Sequence, residues 1–159
     1  MTLSQVIHII EVAAGGLPTI HSIVRNDIFR LNTFPDAKYG VFGWTQGQHA
    51  SEMGSSFITY RFTFFYIDRL THDLANQVEI QSVGIQTLDN LIRILENNGI
   101  YNASETTYTT FNQRFQDECA GVFASVAFQV PVQGLCGETF ADFNEDFNDD
   151  FAIADVTIY

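Results

Sequence analysis

An α+β domain is the fold class this sequence predicts: a mostly antiparallel sheet of about four strands, packed against an N-terminal helix and a middle helix, then an extended acidic tail. Three observations predict it. The apolar period switches from about 3.6 residues to two, back to 3.6 and back to two along the chain. Two long stretches, 57–67 and 122–130, alternate as strands do. The charge balance changes abruptly after Gly137.

In the first stretch Leu3, Val6, Ile7, Ile10 and Ala14 recur at three and four residues and give a helix with one apolar stripe. Thr2 or Ser4 can cap it, and Gly15-Gly16 followed by Pro18 stops it. Ile20 to Leu31 reads as extended but irregular. Tyr39 to Trp44 is a short strand rich in aromatic and β-branched residues. Thr45 to Ser56 is polar, carries glycines and reads as a hairpin turn or longer loop. Phe57 to Leu70, FITYRFTFFYIDRL, closes that hairpin. Val78 to Leu95 places Val83, Leu88, Leu91, Ile92 and Leu95 at helical spacing, ended by Asn97-Asn98-Gly99. Ile100 to Thr110 is polar and rich in Thr and Tyr, and no element is assigned to it. Val122, Ala124, Val126, Phe128 and Val130 then line one face of a strand that Pro131 ends.

The aromatic strand is the most informative of these. One face carries Ile58, Tyr60, Phe62, Phe64 and Tyr66; the other carries Phe57, Thr59, Arg61, Thr63, Phe65 and Ile67. A sheet wetted on one side should be polar on that side, and this strand is so only in part. A chain this short has one small core and can cover one sheet face with a helix. Either an internal segment or another subunit must cover part of the second. Arg61 sits in the middle of that second face, and a lone buried charge is too costly to leave unpaired. It is expected to meet a carboxylate or to lie at a subunit boundary.

Composition narrows the class. The chain has 159 residues, enough for one domain with a core of its own. Only 16% of residues are charged, below the usual quarter, while 14% are aromatic, which suggests surface buried in an assembly. No basic start with a small-residue cleavage pattern marks a signal peptide, and no apolar run reaches the roughly 18 residues of a membrane helix. No membrane partner is expected. Cys119 and Cys136 lack metal-ligand spacing and read as reduced, packed thiols of a protein made in a cytoplasm.

The net charge of −12 is unevenly placed. Residues 1–137 hold twelve acidic and seven basic side chains; residues 138–159 hold seven acidic side chains and no Lys or Arg. A domain over 1–137 and a tail over 138–159 result. Nothing basic is clustered, which argues against sequence-reading of DNA or RNA. Within the tail, Asp142, Asn144, Asp146, Asn148 and Asp150 alternate superficially like a calcium loop. Glycine and glutamate should then stand where Phe147 and Ile153 do, so no metal is expected. Phe140, Phe143, Phe147 and Phe151, spaced three, four and four, make an aromatic stripe on an acidic background. Acidic disordered segments are normally poor in aromatics, so a peptide that docks on another polypeptide explains the pattern better.

No catalytic or cofactor-binding constellation stands out. Asp68, His72 and Asp73 cluster after the aromatic strand and are the only basis for a small enzyme; polar residues leaving a strand are expected in any case. His8, His21 and His49 have no second histidine at useful spacing, and there is no phosphate-binding glycine loop or nucleophile elbow. The reading is a protein that is not an enzyme and needs no cofactor.

Four stretches resemble a known family: Ile20–Phe29 (IHSIVRNDIF), the short strand with its preceding proline at Phe34–Phe42, the strand Phe57–Asp68, and Phe111–Gly121 (FNQRFQDECAG) running into Val122–Cys136 (VFASVAFQVPVQGLC). They are similar to tail-terminator, tail-completion and neck ring proteins of tailed bacteriophages, ring proteins of crAss-like phages among them. The likeness covers roughly residues 1–137. It implies a structural virion protein made in the host cytoplasm: a homo-oligomeric ring of about six or twelve copies at the head–tail junction. Its partners would be the portal and other neck or tail proteins, with genomic DNA only passing through. An acidic lining repels phosphates instead of gripping them. The tail lies outside the shared pattern. A different reading is a small acidic binding or inhibitor protein that mimics DNA. A mimic should spread its charge over the folded surface, whereas here more than half of the net charge is in the tail.

Overall fold

The first helix, α1 (Leu3–Gly15), begins where its sequence provides a cap. The Thr2 hydroxyl accepts from the Gln5 N–H at 3.3 Å, and Oε1 of Gln5 accepts from the Thr2 N–H at 2.8 Å. This reciprocal pair satisfies two donors that the first turn leaves without partners. Val6, Ile10 and Ala14, each four residues on, are its buried stripe. The second helix, α2 (Gln77–Asn97), has a different start. The Asn76 side chain makes no cap bond; its Oδ1 accepts from the Thr71 N–H and hydroxyl, and its Nδ2 donates to the Arg69 carbonyl at 3.1 Å. Asn76 therefore ties the helix to the strand before it. Gly99, at φ +80°, takes the left-handed conformation that ends the helix.

The computed structural model describes residues 1–25, 38–51, 55–71, 75–114 and 118–131. Among them are β1 (Ser22–Arg25), β2 (Val41–Gln46), β3 (Ala50–Ser51), β4 (Phe57–Arg69), β5 (Tyr101–Asn102), β6 (Thr107–Arg114) and β7 (Glu118–Pro131). The fold is α+β, as expected, with both helices in their expected places. The sheet is larger and less uniform than expected: among the described residues it has seven strands instead of about four, in the order β1-β2-β4-β7-β5, with β3 also on β4 and β6 also on β7. It is mixed, because β1 runs parallel to β2.

Strands β4 and β7 form the centre, paired antiparallel from Phe57↔Pro131 to Arg69↔Cys119. Each has more length than one neighbour can use. The outer edge of β4 takes β2 at one end and β3 at the other. The outer edge of β7 takes β6 and β5 in the same way. The expected hairpin between the short aromatic strand and β4 is present, with β3 interposed. The polar stretch 100–110 is partly strand, because its threonines and tyrosines suit a half-exposed edge.

Both helices lie on one sheet face. Tyr60, Phe62, Phe64 and Tyr66 of β4 meet Val122, Ala124, Val126, Phe128 and Val130 of β7, with Leu88, Leu91 and Leu95 of α2 above them. Phe62 and Phe64 stack at a 6.1 Å centroid distance, and Phe128 closes on both. Gly84 lets α2 approach: a Cβ there would sit 2.9 Å from Val122 and 3.0 Å from Tyr66. Tyr108 of β6 reaches back to this side, its hydroxyl 3.4 Å from Asp89, which also holds Arg93 at 2.8 Å.

Candidate assembly surface

The second face of the sheet falls into two halves. Near the end where Arg69 pairs with Cys119, it is apolar: Phe65, Ile67 and Cys119 are buried, packed by Tyr39, Phe111 and Phe123. Two glycines make the rings fit. A Cβ on Gly43 would fall 2.0 Å from the Phe65 ring, and one on Gly121 would fall 2.6 Å from the Phe111 ring. Each ring lies flat on strand backbone that carries no side chain. Phe111 stacks on Phe123 at 4.4 Å, and the Arg69 guanidinium lies 5.7 Å over Tyr39. In this half the apolar groups are thus covered within the subunit. Of the two covers expected, an internal segment or another subunit, the internal one accounts for Phe65 and Ile67, which are 1% and 0% exposed.

Toward the end where Phe57 pairs with Pro131, the same face is open. Thr59, Arg61 and Thr63 of β4 stand beside Ser125, Ala127 and Gln129 of β7. Arg61 is exposed, and its Nη1 donates to the Gln48 carbonyl at 3.2 Å. Among the described residues it has no carboxylate partner, which leaves the subunit boundary of the two expected surroundings. The premise of that expectation was burial, and this half of the face is not buried. The backbone N–H of Arg61 donates to Nδ1 of His49, so the imidazole presents Nε2 to Gln46 Oε1, 3.4 Å away. His49 is thereby an anchor for the loop after β2, its ring edge-on to Tyr60. A shallow depression of about 320 Å³ opens beside Arg61, lined by Thr63, Ser104, Glu105, Thr107 and Ser125. Phe57 and Tyr101, 43% and 58% exposed, stand at its outer end.

Of the cluster after β4, Asp68 is among the described residues. Asp68 accepts from the Arg69 N–H at 2.7 Å and faces Tyr66. Burial, then the charge of Asp68 and a hydrogen bond to it, push the Tyr66 hydroxyl up to about 12. Tyr108 is likewise pushed up to about 12, by burial first and then by Asp89. His72 and Asp73 lie outside the described residues. Cys119 is buried, its Sγ 3.8 Å from the Tyr39 hydroxyl. Among the described residues, no group of His, Cys, Asp and Glu side chains is placed to hold a metal ion, and no helix is long and apolar enough to cross a membrane. A second depression, between the helices, is lined by His8, Ile9, Val12, Ala13, Ile94 and Asn98, with Val12 61% exposed.

Phe140, Phe143, Phe147 and Phe151, the alternating acidic positions and Cys136 all lie outside the described residues, as does the boundary at residue 137. Of the expected interface residues, Arg61 alone is placed. The exposed aromatics Phe57 and Tyr101 were not singled out by sequence. The signal was there in Phe57, the outermost aromatic of the mixed face, but Tyr101 belongs to a two-residue strand that periodicity cannot detect. Comparison with protein-family models and with curated proteins gives no match to this chain.

Proposed function

We propose that this chain is a structural virion protein of a tailed phage, a homo-oligomeric ring subunit at the head–tail junction that joins portal or adjacent rings to the tail and lets genomic DNA pass. The observation that carries the reading is the open sheet with two unlike edges. Among the described residues one side ends in β1, four residues long, parallel-paired and carrying exposed Ile23, with β3 on β4 beside it; the other ends in β6, eight residues long and rich in threonine, and in β5. A ring is built by a head-to-tail contact, which joins two different surfaces and repeats until rotation closes it. A self-complementary dimer has no such need. The four family-like stretches supply the site in the virion, and the net charge of −12 suits a conduit that does not grip its cargo. The Phe-rich acidic segment 138–159 would act as a docking peptide on a neighbouring virion protein, its phenylalanines as anchors and its carboxylates facing basic side chains. Incorporation then belongs to the virion, with no catalytic residue, cofactor or membrane involved.

Light scattering at several concentrations, together with labelling of this chain on intact particles, tests the proposal. A closed oligomer and label at the neck are expected. A monomer at every concentration that is also missing from particles overturns it.

A further inference from the structure

At the end of the sheet where Arg69 pairs with Cys119, the strands lie in the order β1-β2-β4-β7-β6. Paired residues run in rows across all five. One row is Arg25, Trp44, Phe64, Ala124 and Tyr108; another is Ile23, Phe42, Tyr66, Val122 and Thr110. The outermost strands, β1 and β6, are therefore level. They also run in opposite directions, because β1 is parallel to β2 and every later step is antiparallel. Among the described residues neither has a strand on its outer side. No Pro or Lys, the usual protection of an edge, interrupts β6.

Two hydrogen bonds fix which backbone groups point outward. The Gly47 N–H donates to the Arg61 carbonyl at 2.8 Å, and the Leu70 N–H donates to the Glu118 carbonyl at 2.9 Å. Odd positions of β4 thus turn their groups toward β2, and even positions turn theirs toward β7. Row partners turn opposite ways in an antiparallel pair and the same way in a parallel one. Carried across the rows, this turns the N–H and C=O of Ile23 and Arg25 outward from β1. It turns those of Tyr108 and Thr110 outward from β6.

We propose that β6 of one subunit pairs with β1 of the next copy, antiparallel and row for row, with Tyr108 opposite Arg25 and Thr110 opposite Ile23. This rests on the ring reading and names the surfaces that join the ring. A closed ring repeats a rotation without a rise, and level edges of opposite direction meet in that way with no slip. The outward groups then fall opposite each other at both rows. Charge agrees on the helix side. Glu11 holds Nε and Nη2 of the exposed Arg25 at 2.6 Å each, which leaves Nη1 for a second carboxylate. Across the seam stands Tyr108, whose hydroxyl lies 3.4 Å from the half-exposed Asp89. A cation of one copy thus meets a carboxylate of the next. The exposed Ile23 packs on the Thr110 methyl. Pairing β6 with a second β6 would instead bring two copies of Asp89 to one seam and leave both β1 edges open.

Cysteine cross-linking of the full-length chain tests this. Val24 and Thr109 would face each other between the two bonded rows, where paired backbones come closest. Within one subunit the two positions are four strand spacings apart, roughly 19 Å, too far for a disulfide. Val24→Cys combined with Thr109→Cys should give a ladder of disulfide-linked multimers on mild oxidation. The native chain and each single variant, which share Cys119 and Cys136, should not. Thr110→Pro removes an outward N–H and leaves the β6–β7 ladder whole. Added to the double variant it should abolish the multimers, whereas Thr110→Ala should keep them, with Trp44 fluorescence unchanged in both. The proposal is overturned if the double variant gives no multimers, or if Thr110→Pro with an intact fold leaves them in place. It is overturned as well if Thr109→Cys alone gives as much product, which would assign the seam to β6 on β6. In each case a ring seen by light scattering and by label at the neck still stands, joined through another surface. Cross-linked multimers with no label on particles would keep the seam and remove the head–tail reading.

Discussion

Strands β4 and β7 present two faces built on one backbone, and the faces are buried by different means. On the helix side, large rings and branched side chains interlock beneath α1 and α2, and none of Tyr60, Phe62, Phe64 and Tyr66 is more than 7% exposed. On the far side, burial is graded: complete at Ile67 and Phe65, partial at Thr63, absent at Arg61. The first face defines the fold. The second is partly released from that duty, and the polar half of it is where a binding surface can exist without cost to the core.

The largest test of this contrast is truncation. Phe64→Ala and Phe128→Ala should each cost about 3–5 kcal/mol, since both rings are wholly buried. Phe57→Ala, at a position 43% exposed, should fall within about 0.5 kcal/mol of the native protein. Urea unfolding followed by Trp44 reads both, because that indole packs edge-on against Phe62. Similar losses at Phe57 and Phe64 would erase the distinction between the faces.

Glycine replacement sharpens the apolar half of the second face. A Cβ on Gly121 would lie 2.3 Å from the Tyr66 carbonyl oxygen, which is strand backbone and cannot step aside. On Gly43 the atoms nearest to it would be those of the Phe65 ring, which can tilt. Gly121→Ala should therefore cost more than Gly43→Ala, with the smaller of the two about 1–3 kcal/mol. The reverse order would mean that the Phe65 ring is fixed more firmly than the sheet.

Alkaline titration separates the faces by charge. Tyr66 and Tyr108, both on the helix side, keep their protons up to about 12 in the folded protein. An unfolded tyrosine ionises near 10, so the folded state holds the protons more tightly. Their contribution is complete below about pH 10 and is lost as the pH rises from there through about 12. Thermal melts across this range should show a falling midpoint, and Tyr66→Phe should flatten the decline. The smallest effect is expected at Arg61: Arg61→Ala should alter unfolding by no more than about 0.5 kcal/mol, as for an exposed side chain with a single backbone hydrogen bond.

How much of the fold could be read from the sequence depends on how strongly each signal is tied to one residue. The α1 cap was legible as Thr2 or Ser4, and the pairing of Thr2 with Gln5 decides between them. The core of β4 and β7 was legible because alternation over nine or more residues has few other meanings. The start of β7 was not, since Ala120 and Gly121 break the apolar beat where Phe111 fills the space from the next strand. Strands β5 and β6 are polar edges, and nothing local distinguishes them from a loop. The parallel pairing of β1 with β2 depends on a long connection, which no short-range pattern reports. Arg61 lies on the mixed face, where the alternation put it, and it is exposed there instead of buried. Whether a strand position is buried depends on what lies across the sheet from it, and the sequence of that strand does not carry this.

The central ladder also sets a clock. Every rung between β4 and β7 joins residues separated by the whole of α2, β5 and β6, so the pairing is among the most non-local contacts in the chain. On a ribosome adding about 5–20 residues per second, the last of β7 emerges roughly 4–15 s after the first of β4. For that interval β4 has β2 and β3 on one edge but no partner on the other, and α2, emerging next, joins α1 in covering the four aromatic rings of its helix side. The order of elements thus places an amphipathic helix directly behind the stickiest strand, which guards the nascent chain against aggregation before the sheet can close.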